Sequence, residues 1–599
     1  MTLSGSQAHL LDIITKAYVA SGSSVTLPSG SWLITSTLAL YNFSNFTIKG
    51  CSGTNGFSGT ELTGKIPVTG QFLASGTPSW ANAEVVDRIP NSVRANVIVI
   101  DLLGQGINST STILPRGAGD QPAANATEIY WNDQRLTLTK YPMNNSGINI
   151  AAGDGTYTSF LLDNTIASGT NHGFSGIMAG GYVGQNYYYS QVPCGSFSAS
   201  PLYLTFTTNI APAYSFTANQ KMFLYNMPDF LNYGSYYISG SIAYVLPPNG
   251  AHPASGTISA TVPINYYIIR FNNSNNIKFQ DITVNGANWS AIGVDTCDQF
   301  TMEGCRIKNT GFIGIYDQSG SHHYYRNNIF ERTGDIALFI SEGDQPGGSS
   351  GTYFKSFIPT QTKITNNIFR YTGEVALQAV RGALDTRGVG IEISNNDFYD
   401  IPGVAIYYYG PDTYIRRNRF IRTPSRGADI GAVYAFQNYT YCNSKIIDNY
   451  FDQVYVGNPA ELTGNPNLSV NCIYWDNALS YQIAKGNVMK NSSTAIQMSG
   501  RGNTYQYNAF FNQSGPTLYG QSHNIIFNVS YGSGKNANKR FLTGEQSSGS
   551  GLVEDAKVVS NTLGGKIVYL NAHLTNTGEI GGDVYFPAIG QSVHIDLYT

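Results

Sequence analysis

The sequence predicts an all-β chain whose main body is a parallel β-helix, or β-solenoid, carrying an inserted antiparallel β module and a small C-terminal β module. Three observations predict it. A pattern of small, aliphatic and outward-type residue returns as Gly293-Val294-Asp295, Gly314-Ile315-Tyr316, Ala337-Leu338-Phe339, Ala376-Leu377-Gln378, Ala405-Ile406-Tyr407, Ala432-Val433-Tyr434, Cys472-Ile473-Tyr474 and Ala495-Ile496-Gln497. Its third positions lie 21, 23, 39, 29, 27, 40 and 23 residues apart, as expected of coils of about 20–25 residues, some with inserted loops. A second, out-of-phase series places Asn328, Asn367, Asn396, Asn418, Asn449, Asn487 and Asn508 two residues before an apolar side chain, usually Phe. Asparagine suits the bend between two short strands, and stacked copies can hydrogen-bond along the axis through their amides. Finally, only 12% of residues are charged while Gly (65) and Tyr (42) abound, which fits many tight bends and a polar, uncharged exterior.

The elements follow in order. Residues 1–66 read as an amphipathic helix, HLLDIITKAYVA, and the first coils, SVTLPSG, SWLITSTLAL and NFTIKG; such a helix can cover the open end of a solenoid, whose edges would otherwise pair with another chain. Over 67–263 the coil period is lost, and longer alternating runs such as NVIVIDL, TEIYWNDQRLTLTKY and KMFLYNMPDFL read as an antiparallel insertion. The main β-helix spans 264–531, with large loops beginning at Ser341 and after Gln453, where a regular scaffold tends to build sites. The pattern changes again over 532–599, read as a small β module or cap.

Composition excludes several functions. A net charge of −3 implies no basic surface for nucleic acid. No apolar run approaches the ~18–20 residues of a membrane span, so membrane insertion is not expected. Met1 is not followed by a signal-type segment, so the chain is either cytoplasmic or shown without its signal. Of six cysteines, Cys305 and Cys472 fall on ladder positions and are expected as buried thiols, while Cys51, Cys194, Cys297 and Cys442 stay undecided. There is no CxxC pair, and His322 and His323 would point to opposite faces of a strand, so neither a metal nor a cofactor is expected. About a dozen Asn-x-Ser/Thr triplets permit glycosylation without arguing for it.

The third position of the first ladder forms an outward stripe, in which Tyr407, Tyr434 and Tyr474 are candidate platforms for sugar rings. The plain alternative is that stacked tyrosines only stiffen the solenoid. Asp429 stands just before one rung and Asp476 two residues after Tyr474, on adjacent coils. Paired carboxylates are the usual apparatus of glycosidic-bond hydrolysis, one protonating the leaving oxygen and the other attacking or activating water. Glu342, Arg381 and Arg501 are further candidates for substrate binding, with Asp344, Asp385 and Arg387 nearby in sequence.

These residues sit in segments that resemble the right-handed β-helix glycoside hydrolases whose activities include α-L-fucosidase and xylanase, and their β-helix repeat relatives. The resemblance runs to about residue 530 and is carried by TELTGKIPVTGQF, RIPNSVRANVIVIDL, EIYWNDQRLTLTKYPMN, FLYNMPDFLN, NNIKFQDITVNGA, FTMEGCRIKNTG and the GADIGAVY and CIYWDN rungs; YWNDQRLTLTKYPMN is the most specific of these. It implies a right-handed helix, a carbohydrate partner, an extracellular or cell-surface location and a catalytic role for Asp429 and Asp476. One departure matters: Asn477 stands where such relatives often carry a second acid, and if that acid does the chemistry the chain is inactive. Two readings compete with hydrolysis. A polysaccharide lyase needs a Lys, Arg or His base with a charge neutraliser, and the sequence near Asp429 offers few lysines and no dense acidic cluster. A non-catalytic surface, matrix or filament solenoid capable of self-assembly is the other, since fold alone does not exclude it.

Overall fold

The computed structural model describes residues 3–511, apart from 54–58, 109–126, 144–146, 154–158, 164–175, 187, 200–202, 209–214, 249–255, 265, 343–357, 376–381, 437–439, 456–469 and 478, and only short strands beyond 511. Each coil contributes three strands. One such coil runs Ile406–Tyr409, Tyr414–Arg416 and Arg419–Ile421, and the next runs Ile430–Phe436, Lys445–Ile447 and Tyr450–Asp452. Every strand pairs in parallel with its counterpart one coil on, as in Tyr407 with Tyr434 and Phe420 with Phe451, which makes the body a parallel β-helix.

The outward stripe differs from the sequence expectation at two rungs. Tyr316 pairs with Gly293, not Asp295, so the true triplet there is Ala291-Ile292-Gly293. Phe339 pairs with Asp385, which in turn pairs with Tyr407, so Ala383-Leu384-Asp385 holds the rung assigned to Ala376-Leu377-Gln378. Gln378 itself lies outside the described residues.

Inside the bore, Asn328, Asn367, Asn396, Asn418, Asn449, Asn487 and Asn508 form one continuous file. In each pair the backbone N–H and the side-chain Nδ2 both donate to the next Oδ1, at 2.9–3.0 Å from Asn396 to Asn418 and from Asn418 to Asn449. The left-handed residue of each bend is the one before the asparagine: Asn327, Asn366, Asn395, Arg417 and Asp448 have φ of 54–57°. The file asparagines therefore serve as hydrogen-bond partners, and the unusual angle falls on a neighbour. Two residues on, Phe330, Phe369, Phe398, Phe420 and Phe451 stack with centroids 4.6–4.9 Å apart and planes 5–9° off parallel. Cys305 and Cys472 are buried free thiols.

The helix Gln7–Ser21 closes the N-terminal end. Ser6 caps it by accepting from the His9 N–H, Gly22 ends it at φ 63°, and Leu10 and Ile14 are fully buried against the first coil. That coil stacks directly on one far along the chain: Phe46 pairs with Ile277 and Leu62 with Val284. Between them the chain leaves through Lys65–Pro67 and returns through Ile258–Thr261, which pair antiparallel, and the strands they enclose pair almost entirely antiparallel. The module is pinned by the most specific run of the sequence. Asp133 accepts from Lys65, Lys308, Asn285 and Asn309, while Arg135 donates to the carbonyls of Thr310 (2.7 Å) and Arg332 (3.0 Å) and pairs with Glu128. Of the segment 532–599 the described part is a few strands, of which Ala556–Val559 pairs antiparallel with Ala572–Leu574 and Asn561–Leu563 with Lys566–Val568; the rest of the expected C-terminal module lies outside the described residues.

Candidate active site

Asp429 and Asp476 come together because their strands are consecutive coils. Ile430–Phe436 stacks on Val470–Asp476, with Tyr434 opposite Tyr474 and Phe436 opposite Asp476. Alternation then places Tyr434, Phe436, Tyr474 and Asp476 on the outer face. Asp429 precedes its strand in a left-handed turn (φ 56°) that exposes its carboxylate. The Tyr474 hydroxyl donates to Asp429 Oδ1 at 2.8 Å and lies near Asp476; Tyr434 donates to Asp476 Oδ2 at 3.0 Å.

The two acids differ in environment. Burial, and after it the Asp429 charge, holds the Asp476 carboxyl above the usual carboxylate range, partly offset by hydrogen bonds from Tyr434 and the Asn477 N–H and by the nearby Tyr474 hydroxyl. Burial and the neighbouring acids push the Tyr474 and Tyr434 phenols far up, so both stay protonated donors. Asn477 is exposed in a left-handed turn and contributes its backbone N–H to Asp476 Oδ1 at 2.7 Å.

The tyrosine stripe is not an open platform. Tyr407, Tyr434 and Tyr474 are only 3%, 6% and 3% exposed. Tyr407 stacks on Tyr434 at 5.4 Å and near-parallel to Phe436, and Tyr434 meets Tyr474 edge-on at 5.0 Å. Their rings bury one another; the hydroxyls of Tyr434 and Tyr474 reach the acids, while that of Tyr407 meets the Tyr409 hydroxyl. One rung earlier, fully buried Asp385 is held by Arg387 through two hydrogen bonds (3.1 and 3.2 Å), and the guanidinium lies over the rings of Phe339 and Tyr409 at 4.9 and 5.0 Å.

The remaining candidates disperse. Arg381 lies outside the described residues, as does most of the loop that begins at Ser341. Arg501 is exposed, just after Thr494–Met498, where its N–H donates to Ser480 Oγ. Glu342 is in the bore instead of the groove, because it follows Leu338–Ser341 into the interior; it is fully buried, accepts from Thr362 at 2.7 Å and lies 3.2 Å from His323 Nδ1. Asp317 and His323, neither singled out for chemistry from the sequence, complete that buried cluster. The surface seam between module and solenoid holds a separate cavity of about 380 Å³ bordered by Arg135, Lys140, Tyr225, Glu374 and Arg426.

Residues 267–420 match the family described as "Right handed beta helix region". No curated protein sequence matches the chain. Among solved structures, a protein titled "Glycoside hydrolase" is similar at TM-score 0.59 and 13% identity, over 87% of this chain and 92% of that one. Weaker likenesses include DFA-IIIase from Arthrobacter chlorophenolicus A6 in complex with GF2 (TM-score 0.26, 10% identity, 49% of this chain and 66% of that one) and the Pseudomonas phage phi297 tailspike gp61 (TM-score 0.28, 9% identity, 92% and 76%). The coil stacking and the family match together make this chain a right-handed parallel β-helix protein with an inserted antiparallel module.

Proposed function

We propose that the chain is a carbohydrate-active protein of the extracellular space or cell surface, and within that class a glycoside hydrolase using Asp429 and Asp476. The observation that carries this reading is the placing of two carboxylates of unlike burial on adjacent coils, each held by the hydroxyl of one of two neighbouring tyrosines, Asp429 by Tyr474 and Asp476 by Tyr434. Asp476, half-buried and with its proton held more tightly, is the acid that protonates the leaving glycosidic oxygen. Asp429, exposed, is the group that attacks the anomeric carbon or activates water. Tyr434 and Tyr474 are positioning residues that fix the carboxylates. A glycoside hydrolase shares the fold over most of the chain, so the scaffold accommodates this chemistry.

The test is a panel of poly- and oligosaccharides scored for new reducing ends, followed by Asp429→Asn and Asp476→Asn on any substrate cleaved. Each substitution should lower turnover by about 10²-fold or more, the scale of a lost general acid or base, with the far-ultraviolet circular dichroism unchanged. Cleavage surviving both substitutions refutes the assignment.

The burial of Tyr407, Tyr434 and Tyr474 favours a second reading, a non-catalytic structural solenoid stiffened by its tyrosines. Inactivity across the panel, with end-to-end assembly seen by sedimentation, decides for it.

A further inference from the structure

Asp317, His323 and Glu342 are each fully buried inside the solenoid, some coils away from the acids described above. The Asp317 side chain occupies an inward position whose neighbours one coil either way are Val294 and Ile340, so a carboxylate interrupts an apolar file. An ion in such a place is retained only where its partners neutralise it. The cluster spans three coils. Asp317 and His323 belong to one, Glu342 to the next, and the Cys297 carbonyl, 2.8 Å from His323 Nε2, to the one before.

Three features go beyond an ion pair. The Nε2 of His323 faces a carbonyl, which only accepts, so Nε2 carries a proton and Nδ1 is the nitrogen turned to the carboxylates. A backbone carbonyl fixing one imidazole nitrogen while the other binds is the usual support of a metal-ligating histidine. Asp317 Oδ2 lies 2.7 Å and Glu342 Oε1 3.2 Å from Nδ1, and the three ligand atoms all fall within 4.8 Å of one another. Donors at 2.0–2.1 Å in a tetrahedron are about 3.3 Å apart, so the His323–Glu342 spacing already fits and the Asp317–His323 contact must open by roughly 0.6 Å to seat an ion. Asp317 Oδ1 is buried with no hydrogen-bond partner, and the Tyr325 hydroxyl reaches Asp317 Oδ2 at 2.6 Å, which supplies further oxygen donors. Gly320 also belongs to the construction: at φ 119° a Cβ there would stand 1.7 Å from the Cys297 oxygen and 3.0 Å from His323 Nε2.

We propose that Asp317, His323 and Glu342 form a structural binding site for a zinc-class divalent cation that ties three successive coils together from within. Two carboxylates and one neutral imidazole cancel the charge of a dication, which suits an interior walled by Phe300, Tyr325 and Ile340. Calcium and magnesium demand six or more oxygen ligands, often including water, and this donor set does not offer them.

Because the site is enclosed, the ion enters as the chain folds. Full-length protein is denatured with EDTA and refolded either in EDTA or with a small excess of zinc chloride, then desalted. Metal content is read by mass spectrometry, the thermal midpoint by calorimetry, and the ion's place by anomalous diffraction at the zinc edge. One zinc per chain, a higher midpoint than the EDTA-refolded protein and an anomalous peak between the three side chains are expected. Glu342→Gln, which keeps the shape and the bond to Thr362, should fold yet drop the zinc content at least tenfold. Folded protein that holds less than a tenth of an equivalent, an anomalous peak anywhere else, or undiminished zinc in Glu342→Gln overturns the proposal and leaves a hydrogen-bonded ion pair only.

Discussion

Asn418→Ala isolates what one asparagine of the buried file contributes. The Asn418 side chain takes part in four hydrogen bonds: Oδ1 accepts from the Asn396 N–H and Nδ2, and Nδ2 donates to the Ile393 carbonyl and Asn449 Oδ1. Truncation takes the acceptor from the buried Asn396 N–H, at about 1–3 kcal/mol, and removes three more bonds at roughly 0.5–1.5 kcal/mol each. Two of those losses are softened, because Asn396 Nδ2 keeps the Ile364 carbonyl and Asn449 Oδ1 keeps the Asn418 N–H. The expected loss is about 3–5 kcal/mol. A solenoid transmits such a lesion mainly to neighbouring coils, so a global midpoint is the wrong readout. Amide hydrogen exchange by mass spectrometry on peptides spanning 391–421 should quicken by roughly two to three and a half orders of magnitude, while peptides of the N-terminal coils stay unchanged. Asn395→Gly, one residue before the file and already at φ 56°, is the control and should shift exchange by no more than about 0.5 kcal/mol. A loss under about 1 kcal/mol for Asn418→Ala would mean the file follows the fold without holding it.

Other expectations follow from the same structure. Asp476 has its carboxyl raised in the folded state, so it binds a proton more tightly there than unfolded; its stabilising share is present below the unfolded carboxylate pKa and is lost as pH rises through the folded one. Asp476→Asn should therefore raise the thermal midpoint at pH 7 and leave it nearly unchanged at pH 3, and a fall at pH 7 would reverse the assigned environment. On any glycan that is cleaved, Tyr434→Phe removes the hydrogen bond that lowers the Asp476 pKa, so the basic limb of the pH–rate profile should move to higher pH. Arg387→Ala leaves the buried Asp385 without its guanidinium and should cost about 3 kcal/mol, read from chemical denaturation; Arg387→Lys, which lacks the planar fork, should recover only part of it. Phe398→Ala opens a gap in the ring stack and should cost about 3–5 kcal/mol, with exchange accelerated in the coils on either side.

The coil period was legible because a coil buries one face of each short strand and its bends repeat, so Asn and Phe recur in step. The rung at Gly293 was misread because Gly293-Val294-Asp295 and Ala291-Ile292-Gly293 differ by two residues, and a slip of two keeps every side chain on its own face. Alternation alone cannot detect that slip. The rung at Asp385 was missed because a small-aliphatic triplet also occurs seven residues earlier, and only pairing with Phe339 and Tyr407 separates them. Asp429 and Asp476 were reachable because each lies beside a strong rung. The buried cluster was not: adjacent histidines in a strand would face opposite ways, but His322 sits in a left-handed bend (φ 59°), so the pair does not alternate as in a strand. Glu342 looked like a loop residue because a long insertion follows it, yet its backbone N–H still bonds the Arg387 carbonyl of the next coil.

The direct stacking of the first coil on a coil some 231 residues later sets an order on synthesis. At about 5–20 residues per second, that separation is roughly 10–50 s of elongation. Throughout this interval the strand Ser44–Gly50 presents one unpaired parallel edge, with only Ser24–Leu27 beside it. The inserted module, whose strands lie close in sequence, can complete its own sheets before the partner strand Asn275–Gln280 has left the ribosome. Closure then falls to Asp133: when Lys308 emerges it meets a carboxylate already bound by Lys65, and the clamp brings the waiting coil onto the growing solenoid. The N-terminal coil is thus secured after its inserted module and about midway through synthesis of the 599 residues, before the later coils stack on.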